Sequence, residues 1–236
     1  MKTIIITGTS SGLGKAFFDL LTTRNFCTII CFSRRFLSYQ LEIANYNSNV
    51  HLVEIDLNDI AANLEIVEKR LVDSGLLSVA GHVIFINNAS TIEPIDKIGS
   101  FNVQVVSRSI NVNFLAPILL TNLLTAQHEL LNYKLTILNI SSGAASRPID
   151  GWGMYCSTKA ATKMFFDVLI KQYINNPNIS IKSIDPGVLD TPMQETIRSS
   201  ECQQFLLKDY FNKLKEVGEL KRPEQAAADV LMDLGL

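Results

Sequence analysis

The segment Thr3-Ile4-Ile5-Ile6-Thr7-Gly8-Thr9-Ser10-Ser11-Gly12-Leu13-Gly14-Lys15-Ala16-Phe17-Phe18 decides the fold. Ile4, Ile5 and Ile6 are β-branched and apolar at successive positions, which suits a strand covered on both faces. Gly8, Gly12 and Gly14 then let the backbone turn sharply and approach an anion without Cβ collisions. A helical pattern follows over 12–24, and its first turn offers free N–H groups and the positive end of its dipole. Strand, glycine-rich turn and helix in this order form the opening of a phosphate-binding βαβ unit. The spacing differs from G-x-G-x-x-G, so the reading rests on placement between strand and helix.

The same rhythm continues outward. Strands are predicted at 3–7, 28–32, 51–55, 82–87, 134–140 and 180–184, with helical stretches at 12–24, 59–74, 101–131 and 153–174. Val83-Ile84-Phe85-Ile86 is again apolar at successive positions. Alternation of buried strands with helices argues for a doubly wound parallel α/β sheet, a Rossmann-type three-layer sandwich. No linker interrupts it, so residues 1–236 are expected to form one domain. From about 190 to 220 the chain turns polar and helical, with Pro192 suited to a helix start. That segment reads either as a lid over the cleft or as an ordinary surface helix pair.

Composition narrows the function. Of 236 residues, 47% are apolar and 19% charged, and the net charge is -2. No basic field therefore draws the chain to nucleic acid or to an anionic membrane. Apolar runs fall short of the roughly 18 residues that a spanning helix needs. The run after Met1 is too short for a signal peptide, and a cytoplasmic location is expected. Cys27, Cys31, Cys156 and Cys202 are scattered and read as reduced thiols. His51, His82 and His128 show no metal spacing, so no metal is expected.

Tyr155 and Lys159 are four apart in a predicted helix and share a face. An ammonium one turn away favours the phenolate, which brings a phenol toward general acid–base chemistry. Ser142 lies at the C-terminal end of a predicted strand, where its hydroxyl can meet a substrate carbonyl. Ser141 is expected to point the other way, because strand side chains alternate. Asn113 interrupts an apolar helix; it reads as a buried amide satisfying a helix carbonyl, or as a kink that holds a water beside Lys159. The second strand ends Ser33-Arg34-Arg35 with no carboxylate. A guanidinium there, Arg34 being nearer the strand, can grip a 2′-phosphate, unless both arginines only solvate the strand end. Cys156 reads as structural, since no base is placed for it.

Taken together, these residues resemble the short-chain dehydrogenase/reductase family over essentially the whole chain. Thr7–Gly14 matches TGxxxGxG, and Asp56-Leu57, Asn87-Asn88-Ala89 and Pro186-Gly187 followed by Thr191 match further family segments. Asn113, Ser142, Tyr155 and Lys159 match the catalytic tetrad in order and spacing. The resemblance implies a cofactor site built from Gly8, Ser10, Ser11, Gly12, Leu13, Gly14, Arg34, Asp56, Leu57, Asn88, Ala89, Tyr155, Lys159, Pro186, Gly187, Val188 and Thr191. Within it, Asp56 would contact the adenine amino group, Asn88-Ala89 the adenosine ribose, and Lys159 the nicotinamide ribose. Pro186-Gly187 and Thr191 would engage the carboxamide.

Ser90 departs from the family, which usually carries glycine there. The family's last edge strand is also expected to be lacking. Gly151–Cys156 and Asp190–Gln194 resemble the sepiapterin and benzil reductases within the family. Trp152 either stacks on a flat substrate or packs the start of its helix, and Met193 is a second substrate-contact candidate. The implied activity is NADPH-dependent reduction of a small ketone or diketone. The alternatives are an NAD-dependent alcohol dehydrogenase and a non-catalytic dinucleotide sensor. The long helices at 101–131 and 153–174 resemble those that pair subunits in the family, and that resemblance implies a homodimer or homotetramer.

Overall fold

The computed structural model describes residues 2–24, 27–202 and 205–236. Its strands are β1 (Lys2–Thr7), β2 (Cys27–Ser33), β3 (Val50–Glu54), β4 (His82–Asn87), β5 (Lys134–Ile140) and β6 (Ile179–Ile184). They pair in parallel as one open sheet in the order β3-β2-β1-β4-β5-β6. Because β1 lies between β2 and β4, the winding reverses there. That reversal opens a crevice beyond the C-terminal ends of β1 and β4. Among the described residues β6 is the sheet's edge, in keeping with the expected lack of a further strand.

Helices cover both faces: α1 (Gly12–Thr22), α2 (Ser38–Tyr46), α3 (Ile60–Glu68), α4 (Val103–Ile110), α5 (Ala116–Leu131), α6 (Gly153–Gln172), α7 (Pro192–Ser199), α8 (Lys208–Glu216) and α9 (Pro223–Asp233). Side-chain alternation along the strands divides the core in two. Ile5, Ile30, Phe85 and Ile137 face Leu120, Leu124 and Phe166 from α5 and α6. Ile4, Ile6, Ile29 and Ile84 face Phe17 and Phe18 of α1 and Ala227 and Leu231 of α9. The unbroken apolar strands thus bury both faces.

Helix α2 had no counterpart in the sequence reading. Gln40 is its one fully buried residue, and Tyr39, Ile43 and Ala44 pack only partly buried against the core, so its apolar stripe is short and weak. The predicted helix over 101–131 is instead α4 and α5 joined by a π-helical turn, Asn111–Leu115. By length and composition, the 29 residues Val103–Leu131 could cross a membrane, contrary to the expectation from apolar runs. Polar residues interrupt the apolar runs without lowering the mean hydropathy enough. Ala116, Leu120 and Leu124 from this rod are buried in the core. The polar segment over 190–220 forms α7 and α8; residues 203 and 204 lie outside the described residues.

Candidate active site

The turn after β1 is fixed from several sides. Gly8 has φ +75° and Gly12 φ +52°, conformations that favour glycine. A Cβ at Gly14 would lie 2.0 Å from the Gly8 carbonyl oxygen, so the turn closes only over glycine. The Thr9 N–H donates to Ser33 Oγ (2.7 Å), and Gln40 Nε2 donates to the Thr9 carbonyl (2.9 Å). Across the reversal, Thr7 Oγ1 accepts from the Asn88 and Ala89 N–H groups, each at 3.0 Å. Asn88 Nδ2 returns a bond to the Thr7 carbonyl (2.9 Å). Asn88 therefore locks the ends of β1 and β4 together. Ser11 makes no side-chain cap to α1, which leaves the first N–H groups of that helix available to an anion.

A cleft of about 820 Å³ runs over these strand ends. Gly8, Ser10, Ser11, Gly12 and Leu13 border it beside Arg34, Asp56, Leu57, Asn88 and Ala89. Pro186, Gly187, Val188 and Thr191 border its far side. Gly14 supports the turn from behind and Arg35 lies outside the lining. Asp56 caps the turn Leu57–Asp59 by accepting from the Asn58 N–H (2.9 Å). A Cβ at Gly12 would sit 3.2 Å from Thr191 Cγ2, so the start of α7 closes on the glycine turn.

Three of the four predicted catalytic residues border the same cleft: Ser142, Tyr155 and Lys159. Ser142 stands just past β5 and caps the short turn Gly143–Ala145 through the Ala144 N–H (3.2 Å). Ser141 borders the cleft too, against expectation, because β5 ends at Ile140 and strand alternation stops there. Tyr155 and Lys159 lie on α6, only 7% and 6% exposed. Lys159 Nζ is 5.7 Å from the Tyr155 ring centre and donates to the Ile140 carbonyl (3.0 Å).

Asn113 sits behind them in the π-helical turn. Its Nδ2 donates to the Thr91 carbonyl (2.8 Å) and to Thr158 Oγ1 (3.1 Å). Its Oδ1 accepts from the Thr91 N–H (2.8 Å) and Ser90 Oγ (3.0 Å). The side chain thus ties the loop after β4 to α6, and does not satisfy a helix carbonyl. The Asn113 carbonyl accepts from Thr162 Oγ1 (2.7 Å).

The outer wall is apolar. Trp152 stacks with Phe205 (5.3 Å) and Phe211 (5.8 Å) and meets Tyr155 edge-on (5.6 Å). Met193 and Phe211 from α7 and α8 border the cleft, so the 190–220 segment contributes to its wall. Trp152 borders the cleft as well, but at 5% exposure its rings are engaged in packing with Phe205 and Phe211.

Residues 2–202 match the short chain dehydrogenase family. This chain belongs to that family. It is 35% identical over 229 residues to a benzil reductase, (S)-benzoin forming, of Bacillus cereus, covering 96% of this chain and 91% of that protein. A sepiapterin reductase of Bos taurus is 35% identical over 141 residues, which is 58% of this chain and 51% of that enzyme. Among solved structures, the KRED1-Pglu enzyme superposes with a TM-score of 0.78 at 28% identity, over 96% of this chain and 92% of that one. The chain is accordingly a short-chain oxidoreductase acting on carbonyl or alcohol groups, in a family that uses NAD(P)(H).

In this dehydrogenase-family enzyme the electrostatics of the pair run opposite to the simple expectation. Burial pushes the Tyr155 phenol up to about 12; hydrogen bonding from Ser142 opposes this, the Asp185 carboxylate adds to it, and Ser90 opposes it more weakly. Burial also draws the Lys159 ammonium down to about 8, against the pull of Asp185. Desolvation is the largest influence on each of the two groups. Asp185, Ser90 and Arg147 are cleft residues that the sequence reading missed as such. Asp185 could have been found, since it stands just past the C-terminal end of β6, immediately before Pro186-Gly187, where ligands of such sheets bind.

Proposed function

We propose that this enzyme is an NADPH-dependent carbonyl reductase acting on small, flat ketones or diketones. The observation that carries the reading is that Ser142, Tyr155 and Lys159 border the same cleft as the glycine turn and Arg34. Burial favours the protonated form of the Tyr155 phenol, which enters the reaction as a proton donor.

The residues present fit a dinucleotide. The glycine turn and the open N-terminus of α1 would hold its pyrophosphate, Asp56 its adenine, and Asn88-Ala89 its ribose. Arg34, at a strand end with no carboxylate, would take the 2′-phosphate in a charge-assisted pair. Pro186, Gly187, Val188 and Thr191 would engage the carboxamide. When bound, the cofactor supplies the hydride.

The chain's own side chains do the rest. Ser142 donates to the substrate carbonyl oxygen and orients it. Tyr155 releases its proton to that oxygen as negative charge develops there. Lys159, fixed by the Ile140 carbonyl, holds the ribose and stands as a cation beside the phenolate that remains. Asn113 ties the loop after β4 to α6 and so keeps this geometry. Trp152, Met193 and Phe211 supply an apolar wall, and closure of α7 and α8 over it excludes water. The name of the Bacillus cereus relative points to aromatic diketones for such a wall.

Self-association belongs to the same proposal, because α6 leaves Met164 and Val168, one turn apart, 63% and 57% exposed. Sedimentation should give a dimer or tetramer, and a monomer would contradict this part. The activity is tested by a carbonyl panel that includes benzil and sepiapterin, followed by loss of NADPH absorbance with NADH in parallel. Turnover of an aromatic diketone with NADPH preferred is expected. Preference for NADH, or inertness toward every carbonyl, would overturn the proposal.

A further inference from the structure

Arg147 borders the cleft and has no part in the proton transfer. Its backbone is held from two sides. The Ser146 N–H donates to the Gly143 carbonyl (3.2 Å), and Cys156 Sγ on α6 donates to the Arg147 carbonyl (3.6 Å). From there the side chain folds back over Gly143. A Cβ built on Gly143 would lie 2.5 Å from Arg147 Nη2, closer than real Cβ atoms come to a neighbour. The guanidinium occupies that space only because residue 143 is glycine. It lies over the residue next to Ser142, whose hydroxyl orients the substrate carbonyl in the proposed reaction.

Among the described residues this guanidinium makes no hydrogen bond and no ion pair. Asp185 Oδ2 lies 3.4 Å from the same point over Gly143, while Asp185 Oδ1 accepts from the Gly187 N–H (3.0 Å). Cation and carboxylate thus flank Gly143 without closing on each other. A guanidinium carries only donors and keeps its proton, so a partner from the cleft must supply an acceptor. A carboxylate placed there would meet Asp185 as well as Arg147, and the opposed charges would cancel much of the attraction. A neutral carbonyl oxygen accepts from Arg147 without adding a second anion, and the bond is still charge-assisted.

We propose that Arg147 is a specificity residue: it receives the second oxygen of a vicinal diketone while Ser142 and Tyr155 serve the first. Arg147 stays protonated throughout, and no covalent bond to it forms or breaks. A ketone with a single oxygen leaves the guanidinium to water and gains nothing from it. A diketone gains a charge-assisted bond at a fixed distance from the reacting carbonyl, so the second oxygen also orients the first. This inference narrows the proposed substrate class to vicinal diketones and rests on the carbonyl-reductase reading.

The test uses the full-length protein with benzil and with trifluoroacetophenone, an activated aromatic ketone that carries one carbonyl. Each is followed by loss of NADPH absorbance. The ratio of their kcat/KM values, benzil over trifluoroacetophenone, should fall about tenfold in Arg147→Met. Gly143→Ala keeps the charge, but its methyl displaces the guanidinium, and the ratio should fall by about threefold or more. Phenylglyoxylate, whose second group is a carboxylate, should lose less than benzil in Arg147→Met. A ratio that stays within about twofold of wild type in Arg147→Met overturns the proposal, as does a larger loss for phenylglyoxylate than for benzil. A wild-type enzyme inert toward benzil and trifluoroacetophenone alike refutes instead the carbonyl-reductase reading, and this inference with it.

Discussion

Replacing Gly14 with alanine probes the turn on which the cofactor site is built. A methyl group there would lie 2.0 Å from the Gly8 carbonyl oxygen, 2.8 Å from its carbon and 2.6 Å from Asn88 Nδ2. Two of these are backbone atoms, and Gly8 is anchored by its N–H to the Phe32 carbonyl at 2.7 Å. Relief therefore means moving the β1–α1 turn or giving up the Asn88 bond to the Thr7 carbonyl. Overpacking of this kind costs about 3 kcal/mol and the lost bond about 1, while alanine in a helix returns about 1. The net cost is about 3 kcal/mol, or a fall in melting temperature of about 6–12 °C. Gly153→Ala is the control, since its methyl would meet only the side-chain ends of Phe101 and Ile98 at 3.3 Å or more. It should stay within about 1 kcal/mol of wild type. Thermal melts with and without NADPH, together with a binding titration, read both variants. A Gly14→Ala protein that melts within about 2 °C of wild type and binds NADPH normally would refute the reasoning.

Further outcomes follow from the same geometry. Arg34→Asp should reverse the cofactor preference, raising the KM for NADPH at least about tenfold while NADH is used as well or better; an unchanged ratio removes Arg34 from the site. Lys159→Met bears on stability as a function of pH. Between about 8 and 10.5 the unfolded lysine holds a proton that the folded one has lost, so wild-type stability gains as pH rises through that window. The methionine variant, free of the buried charge, should be more stable than wild type at pH 7 by about 2–3 kcal/mol. That advantage should shrink toward pH 10, and a constant gap would contradict the burial of the ammonium. Asn113→Ala strands the Thr91 backbone groups and should cost about 2–4 kcal/mol in urea unfolding; a loss below about 1 would show that the tie to α6 is unimportant.

The sheet was legible because its strands are buried on both faces and bounded by turns. Ile4–Ile6 and Val83–Ile86 have no other good reading, and the glycine turn fixes where the first helix starts. Asn88, Ser142, Tyr155 and Lys159 were legible as positions because each stands at a strand end or one helical turn from a partner. Helix α2 was not, since its one fully buried residue is a glutamine that braces Thr9, and Tyr39, Ile43 and Ala44 make only a short, partly buried apolar stripe. The π-helical turn at Asn113 was visible only as a polar interruption. Its partners Thr91, Thr158 and Ser90 come from elements that only the folded chain brings together. The raised phenol was illegible for the same reason: sequence spacing places Lys159 beside Tyr155, but it does not say how much water either one loses. Trp152 could be read as substrate platform or as packing until Phe205 and Phe211 were found stacked with it.

The central claim is that the Tyr155 hydroxyl delivers the proton to the reduced carbonyl. It is met most directly by comparing wild type with Tyr155→Phe, measuring benzil-dependent NADPH consumption and NADPH affinity in the same preparation. The account predicts a loss of turnover of at least about a hundredfold with affinity changed less than about twofold. A phenylalanine variant that retained a substantial share of wild-type turnover would contradict it.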